Sequence, residues 1–264
     1  MPDPSLYEVL LVKIFKNHYR KGMDKFEFDR EELAKVASEL GVRLPKNLGD
    51  LIYSFRYRRE MPAEILATAT RKKKWIIEPA GHAKYRFRLG TASRIVPREN
   101  LVAIKIPDAT PEIIASYALT DEQALLSKVR YNRLIDIFLG ITTYSLQNHL
   151  RTTVKGMGQI EIDEIYVGVN KNGQQFVIPV QAKGGSDQLA VVQTQQDLAC
   201  CAEKFPNLAC RAISAQFMND EKNTIAIFEL TMEKDEVKVV EERHYRLVPA
   251  DSITEKDLKS YSSR

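Results

Sequence analysis

The chain has 264 residues, 44% of them hydrophobic and 28% charged, with a formal net charge of +4. This make-up gives a globular protein a sizeable core and excludes a disordered or fibrous polymer. No run of about 18 apolar residues occurs, so no membrane span is expected.

Met1-Pro2-Asp3-Pro4 lacks the basic region and apolar stretch of a signal peptide. The cysteines, Cys200, Cys201 and Cys210, have neither Cys-x-x-Cys nor zinc-site spacing. Cys200 and Cys201 read as buried helix residues, and a reducing, cytoplasmic location is expected. Ser5 to Tyr19 is predicted as an amphipathic helix, with Leu6, Val9, Leu10, Val12, Ile14 and Phe15 apolar. A second helix is predicted from Phe28-Asp29, with Asp29 as N-cap and Glu32 three residues on, running to Gly41. Pro45-Lys46-Asn47 opens a third, Leu48 to about Arg59. Trp75–Glu78 and Lys84–Leu89 follow as strands around Pro79-Ala80-Gly81-His82, a wing after a helix-turn-helix. Residues 1–100 carry 21 of the 39 Lys and Arg but only 13 of the 35 Asp and Glu. A basic first part suits DNA contact. Arg56, Arg58 and Arg59 on the third helix, the run Arg71 with Lys72, Lys73 and Lys74, and the alternating Lys84, Arg86 and Arg88 are the candidate contacts.

Two prolines in Pro107-Asp108-Ala109-Thr110-Pro111 mark a connector, and strand-like Leu101–Ile106 before it suits either side. The expected domains are therefore 1–108 and 109–264. Thr120-Asp121-Glu122-Gln123 caps one long predicted helix reaching Gly140, and Tyr144 to about Thr152 is predicted as another. Ile160–Tyr166 and Phe176–Lys183 read as strands. The Asn-Gly pair in Asn170-Lys171-Asn172-Gly173 joins them as a hairpin. A helix from Ser186 to Lys204 and strands Cys210–Phe217, Thr224–Glu229 and Val237–Val240 complete an α/β order, α+β overall, with a mixed sheet flanked by helices. The tail from Lys259 reads as loose.

The hairpin brings Asp163 near Gln181 and Lys183, which share one strand face. An Asp, a carbonyl oxygen and a Lys at one point suit a Mg²⁺ ion with a cation beside it, the needs of phosphodiester hydrolysis. Asp163 would bind the ion, with the Ala182 carbonyl and the Gln181 side-chain oxygen completing the protein ligands. Lys183 would hold or deprotonate water and steady developing charge.

Asp163 followed by Val180-Gln181-Ala182-Lys183 resembles the PD-(D/E)XK nucleases, and the second stretch is similar to the Mrr-type branch of restriction endonucleases, where Gln replaces the acidic residue. The resemblance covers about residues 125–230 and includes the Gly156-Met157-Gly158 approach to the Asp. It implies a restriction-type endonuclease: a winged-helix domain holding double-stranded DNA and a PD-(D/E)XK domain cutting it with Mg²⁺, or Mn²⁺ as substitute. A homodimer would cut both strands; a cognate methyltransferase partner is implied but has no trace in this sequence. The chain departs from the pattern in having no evident Glu on the preceding helix and in crowding Asp163 with Glu161 and Glu164. Glu161 shares the face of Asp163, whereas Glu164 should point away. Asn148 is the candidate stand-in for the absent Glu, and Arg151 a candidate phosphate contact. Family position sets the helix after Lys183 against the hairpin, so that Gln193 or Gln196 orients the site. Two other readings stay open: a non-enzymatic DNA-binding regulator with a degenerate nuclease fold, and a repair or RNA-directed nuclease.

Overall fold

The structure is a computed structural model that describes residues 5–43, 47–70, 72–117, 122–184, 187–218, 220 and 224–262. It divides into two compact units. The first runs to Arg94 and includes Thr152–Ile160 and Ala190–Val192; the second is Ile95–Arg151, Glu161–Leu189 and Gln193–Arg264.

The first unit opens with α1 (Leu6–His18), closed at its start by a capping box between Ser5 and Glu8. Lys25–Asp29 forms strand β1. Phe28 and Asp29 therefore do not start the second helix, α2, which spans Glu32–Glu39. The reason is a period of two: Phe26 and Phe28 alternate inward between outward-facing charges, a strand pattern overlooked beside the capping signal. Asp29 donates its N–H to Glu32 Oε1 at 2.8 Å rather than capping the helix. α3 (Leu48–Tyr53) is capped by Asn47, whose side chain accepts from Gly49 N–H, and continues into a π-helical turn, Ser54–Arg58. A short α4 (Ala63–Leu66) precedes the antiparallel pair β2 (Lys74–Gly81) and β3 (Lys84–Gly90), and β1 joins β3 to give the order β1-β3-β2. The core is aromatic: Phe15, Phe26, Trp75 and Phe87 pack with ring centroids 5.1–6.2 Å apart. Burying each such ring stabilises by about 3 kcal/mol. The indole N–H of Trp75 is satisfied by Thr68 Oγ1 at 2.8 Å.

A two-residue strand, β4 (Arg94–Ile95), follows. In the second unit, β5 (Ala103–Pro107) pairs in parallel with a late strand, so the segment that suited either side belongs to this sheet. α5 is Glu112–Tyr117, α6 Glu122–Tyr131 and α7 Leu134–Leu139. The single long helix expected here is thus two, and Thr120 and Asp121 lie outside the described residues. Arg133 adopts φ 50° between them. Asn132 beside it is buried and bonds to Asp108, Thr110, Lys128 and Ala109. Those bonds tie the connector to the break and outweigh the helical spacing of Leu134, Ile135 and Phe138.

The segment expected as a second helix is instead strand β6 (Thr142–Val154), paired with β7 (Gly158–Val169). Thr and Tyr at its start and Thr-Thr-Val at its end favour extended backbone. β8 (Gln175–Lys183) pairs antiparallel with β7 through the Asn-Gly turn, where Gly173 sits at φ 80°. Asn170 Oδ1 accepts from the N–H groups of Asn172 and Gln174, both at 3.0 Å. After β9 (Leu189–Ala190) comes α8 (Val191–Lys204), which starts later than the Ser186 or Asp187 cap expected; Ser186 is outside the described residues. β10 (Ala209–Cys210), β11 (Ala212–Phe217), β12 (Ile225–Glu233) and β13 (Glu236–Val248) follow, and the tail forms α9 (Glu255–Ser262) instead of a loose end.

The main sheet has eight strands, in the order β5-β13-β12-β11-β8-β7-β6 with β10 beside β8. It is mixed: β8 pairs in parallel with β10 and β11, while β7–β8, β11–β12 and β12–β13 are antiparallel. Helical residues Leu125, Leu126, Val129, Leu134, Ile135 and Phe138 bury against Ile178, Val180, Ile213 and Ile227. β8 is central and buried from Phe176 to Ala182, which is why it reads as a continuous apolar run. Pro179 is tolerated within it because its neighbour is interrupted there: β10 pairs with 176–177 and β11 only from Val180. No described helix is long and apolar enough to cross a membrane.

Candidate active site

Backbone pairing between β7 and β8 runs from Val169↔Gln175 to Glu164↔Val180 and ends there. Beyond that point side chains replace the ladder. Ala182 N–H donates to Asp163 Oδ2 at 2.8 Å, and Gln181 Nε2 donates to the Glu161 carbonyl at 3.0 Å. Asp163 and Gln181 thus occupy the place where two strands part, while β11 holds the other edge of β8. Lys183, at the end of β8, places Nζ 2.7 Å from Glu122 Oε1 at the start of α6. Its side chain is 13% exposed. From α8, Asp197 Oδ1 accepts from Gln181 Nε2 at 3.0 Å, and Gln193 Nε2 donates to Gln181 Oε1 at 3.3 Å.

Electrostatics follow from burial. Desolvation pushes the Asp163 carboxyl above its usual range; the Ala182 N–H and the Lys183 charge oppose this, and Glu122 and Glu161 add to it. Asp197, fully enclosed, is pushed well above the carboxylate range chiefly by burial, with Gln181 opposing and Asp163 reinforcing. Asp163 and Glu122 are two carboxylates beside one ammonium, that of Lys183.

The remaining candidates fall in different places. Glu164 points away from Asp163, as alternation requires, and is buried in an ion pair with Arg130 at 2.8 Å and a bond from Ser145 Oγ at 2.7 Å. Asn148 lies on β6 and accepts from Arg130 at 3.3 Å, which groups it with Glu164. The carboxylate from the preceding helix is Glu122. Sequence reasoning treated Glu122 as part of a helix cap; its acidic character at a helix start is common and gave no separate signal. Glu161 stays at the site through its carbonyl, while its half-exposed carboxylate pairs with Arg151 at 3.1 Å and His149 at 2.9 Å. Arg151 is therefore already matched to an acid. Of the two glutamines considered on α8, Gln193 is the one that donates to Gln181. In the sequence Asp197 stands out only as one of the polar residues in the first half of this helix, since only the packed helix brings it behind Gln181.

Among the described residues, no three His, Cys, Asp or Glu side chains converge as a metal cage. Mg²⁺ needs no such cage, because it binds through one or two carboxylates and keeps several waters. The hard-oxygen donors that could hold it are Asp163, the Ala182 carbonyl and Gln181 Oε1, which has a second lone pair beyond the Gln193 contact.

In the first unit, Arg58 lies over the Tyr53 ring at 5.0 Å, Arg56 over Tyr57 at 4.8 Å and Arg59 over Tyr7 at 5.9 Å. Lys72, Lys73 and Lys74 are exposed, and Arg71 is outside the described residues. The row on β3 is matched to acids: Lys84 to Asp29 at 3.9 Å, Arg86 to Glu27 at 2.6 Å and Arg88 to Glu78 at 2.7 Å. No protein-family model, no curated protein and no solved structure matches this chain.

Proposed function

We propose that the second unit is a Mg²⁺-dependent endonuclease centre of the PD-(D/E)XK type, Mrr-like, acting on double-stranded DNA in a restriction role, and that the first unit is a winged-helix domain that holds the DNA. The observation that carries the reading is the meeting of Asp163, Gln181 and Lys183 where β7 and β8 part, with Glu122 beside the lysine. The order helix, strand, three helices, strand, strand, with its exposed Lys72–Lys74 run, supports the first unit's role.

Asp163, the Ala182 carbonyl and Gln181 Oε1 would hold the cation. Bound there, a divalent ion supplies an acidified water and charge compensation for phosphate. Lys183 orients the attacking water and steadies negative charge growing on the phosphate oxygens, and Glu122 fixes the ammonium in place. Gln181 fills the position of an acid without adding a second charge beside Asp163, and two copies of the chain would address the two strands.

The test is cleavage of unmodified and methylated DNA by wild type, Asp163→Ala and Lys183→Ala, with Mg²⁺ and with chelator. The expected result is metal-dependent cutting by wild type alone, with a difference between the two DNAs reporting discrimination by modification. Tight binding without cutting would overturn the enzyme and leave the DNA-binding regulator.

A further inference from the structure

Gln181 is 1% exposed and Asp197 2% exposed, so both side chains are shielded from bulk solvent. A backbone carbonyl only accepts, so the Gln181 atom facing the Glu161 carbonyl at 3.0 Å must be the amide nitrogen. Its second hydrogen then points at Asp197 Oδ1, also at 3.0 Å, and its oxygen meets the Gln193 N–H at 3.3 Å. Every polar atom of this amide has a partner, one from β7 and two from α8. Without an acceptor at position 197, one amide hydrogen would be buried unsatisfied, and the side chain would gain by rotating away.

We propose that Asp197 is a positioning residue: it locks the Gln181 amide in one orientation, with Nε2 held between Glu161 and Asp197 and Oε1 presented to Gln193. What the site requires of position 197 is an acceptor oxygen of this reach. A glutamine standing where an acid is expected thus depends on a carboxyl supplied from the helix behind it. The effect on cleavage rests on the endonuclease reading; the orientation does not.

The experiment uses the full chain with ¹⁵N-labelled glutamine, metal-free, with the Gln181 side-chain signal assigned through Gln181→Leu. In wild type the two Gln181 amide protons should exchange at least about tenfold more slowly than those of exposed glutamines. Asp197→Asn, which keeps an acceptor oxygen, should retain that protection. Asp197→Leu, which keeps volume but removes the acceptor, should lose it, and Asp197→Ala serves as a second removal should Leu not fold. With Mg²⁺, the removal variant should cut DNA about 10–100-fold more slowly while Asp197→Asn retains most activity. Gln181 protons equally protected in the removal variant, or unprotected in Asp197→Asn, would overturn the proposal. Wild type that cuts no DNA but shows the expected protection pattern would sink the endonuclease reading and leave the positioning role standing.

Discussion

At Asp163 two demands conflict: the strand gap that gives its carboxylate a backbone partner also strips it of water. An acid whose folded pKa lies above its unfolded value favours the native state below the unfolded pKa and loses that contribution as pH rises through the folded one. Asp163 and Asp197 are both shifted upward, so both make the apo protein less stable above the ordinary carboxylate range than their neutral counterparts would. Asp163→Asn should therefore raise the urea midpoint near pH 7 in chelator, with the gap closing as pH falls through the raised folded pKa towards about 4. Added Mg²⁺ should narrow the same gap from the other side, by stabilising wild type alone. Arg130 is a different case. It is the cation on Glu164, which is completely buried. Arg130→Ala strands that charge and should cost about 3 kcal/mol in equilibrium unfolding.

Elements explain how such residues come together. β8 supplies Gln181 and Lys183 because the Asn-Gly turn fixes its register against β7. α6 starts at Glu122, beside Lys183, and ends at Tyr131; α7 follows from Leu134 after the left-handed Arg133. The Asn132 side chain holds that break to the connector at Asp108 and Thr110. Asn132→Ala should lose about 1–3 kcal/mol, read as a lower denaturation midpoint, because it removes the side-chain bonds to four partners, Asp108, Ala109, Thr110 and Lys128. In the first unit the aromatic cluster carries the packing. Phe87→Ala should cost about 3–5 kcal/mol, and Trp75, the chain's one tryptophan, reports the loss by fluorescence.

For the whole molecule, charge is the governing quantity. The basic excess lies in residues 1–100, yet the β3 cations there are already matched to Asp29, Glu27 and Glu78. Lys72, Lys73 and Lys74 are a run of exposed cations in the same region. If the first unit holds DNA through them, each Lys→Ala change should weaken binding for all sequences alike. Each should also lower the slope of log affinity against log salt by about 1. Substituting Lys84 or Arg86 should change the slope less. Equal effects from both groups would show that the ion pairs open on binding.

Local pattern was enough for the elements whose signal is local. The hairpin of β7 and β8 was legible from apolar runs around an Asn-Gly turn, and α1 from its 3.6-residue spacing. Asp163, Gln181 and Lys183 could be placed together because strand alternation and one turn dictate their register. The strand at Lys25–Asp29 was legible too, but a capping signal competed with it. Tertiary structure alone decided the rest. It split the helix at Asn132, whose bonds reach a connector more than twenty residues away in sequence. It made β6 a strand, because pairing with β7 satisfies its backbone and no helical pattern in its own residues outweighs that. It brought Glu122 and Asp197 to the site from helices on either side of the hairpin in sequence, since a carboxylate's partner is set by packing in space and leaves no mark on the residues next to it.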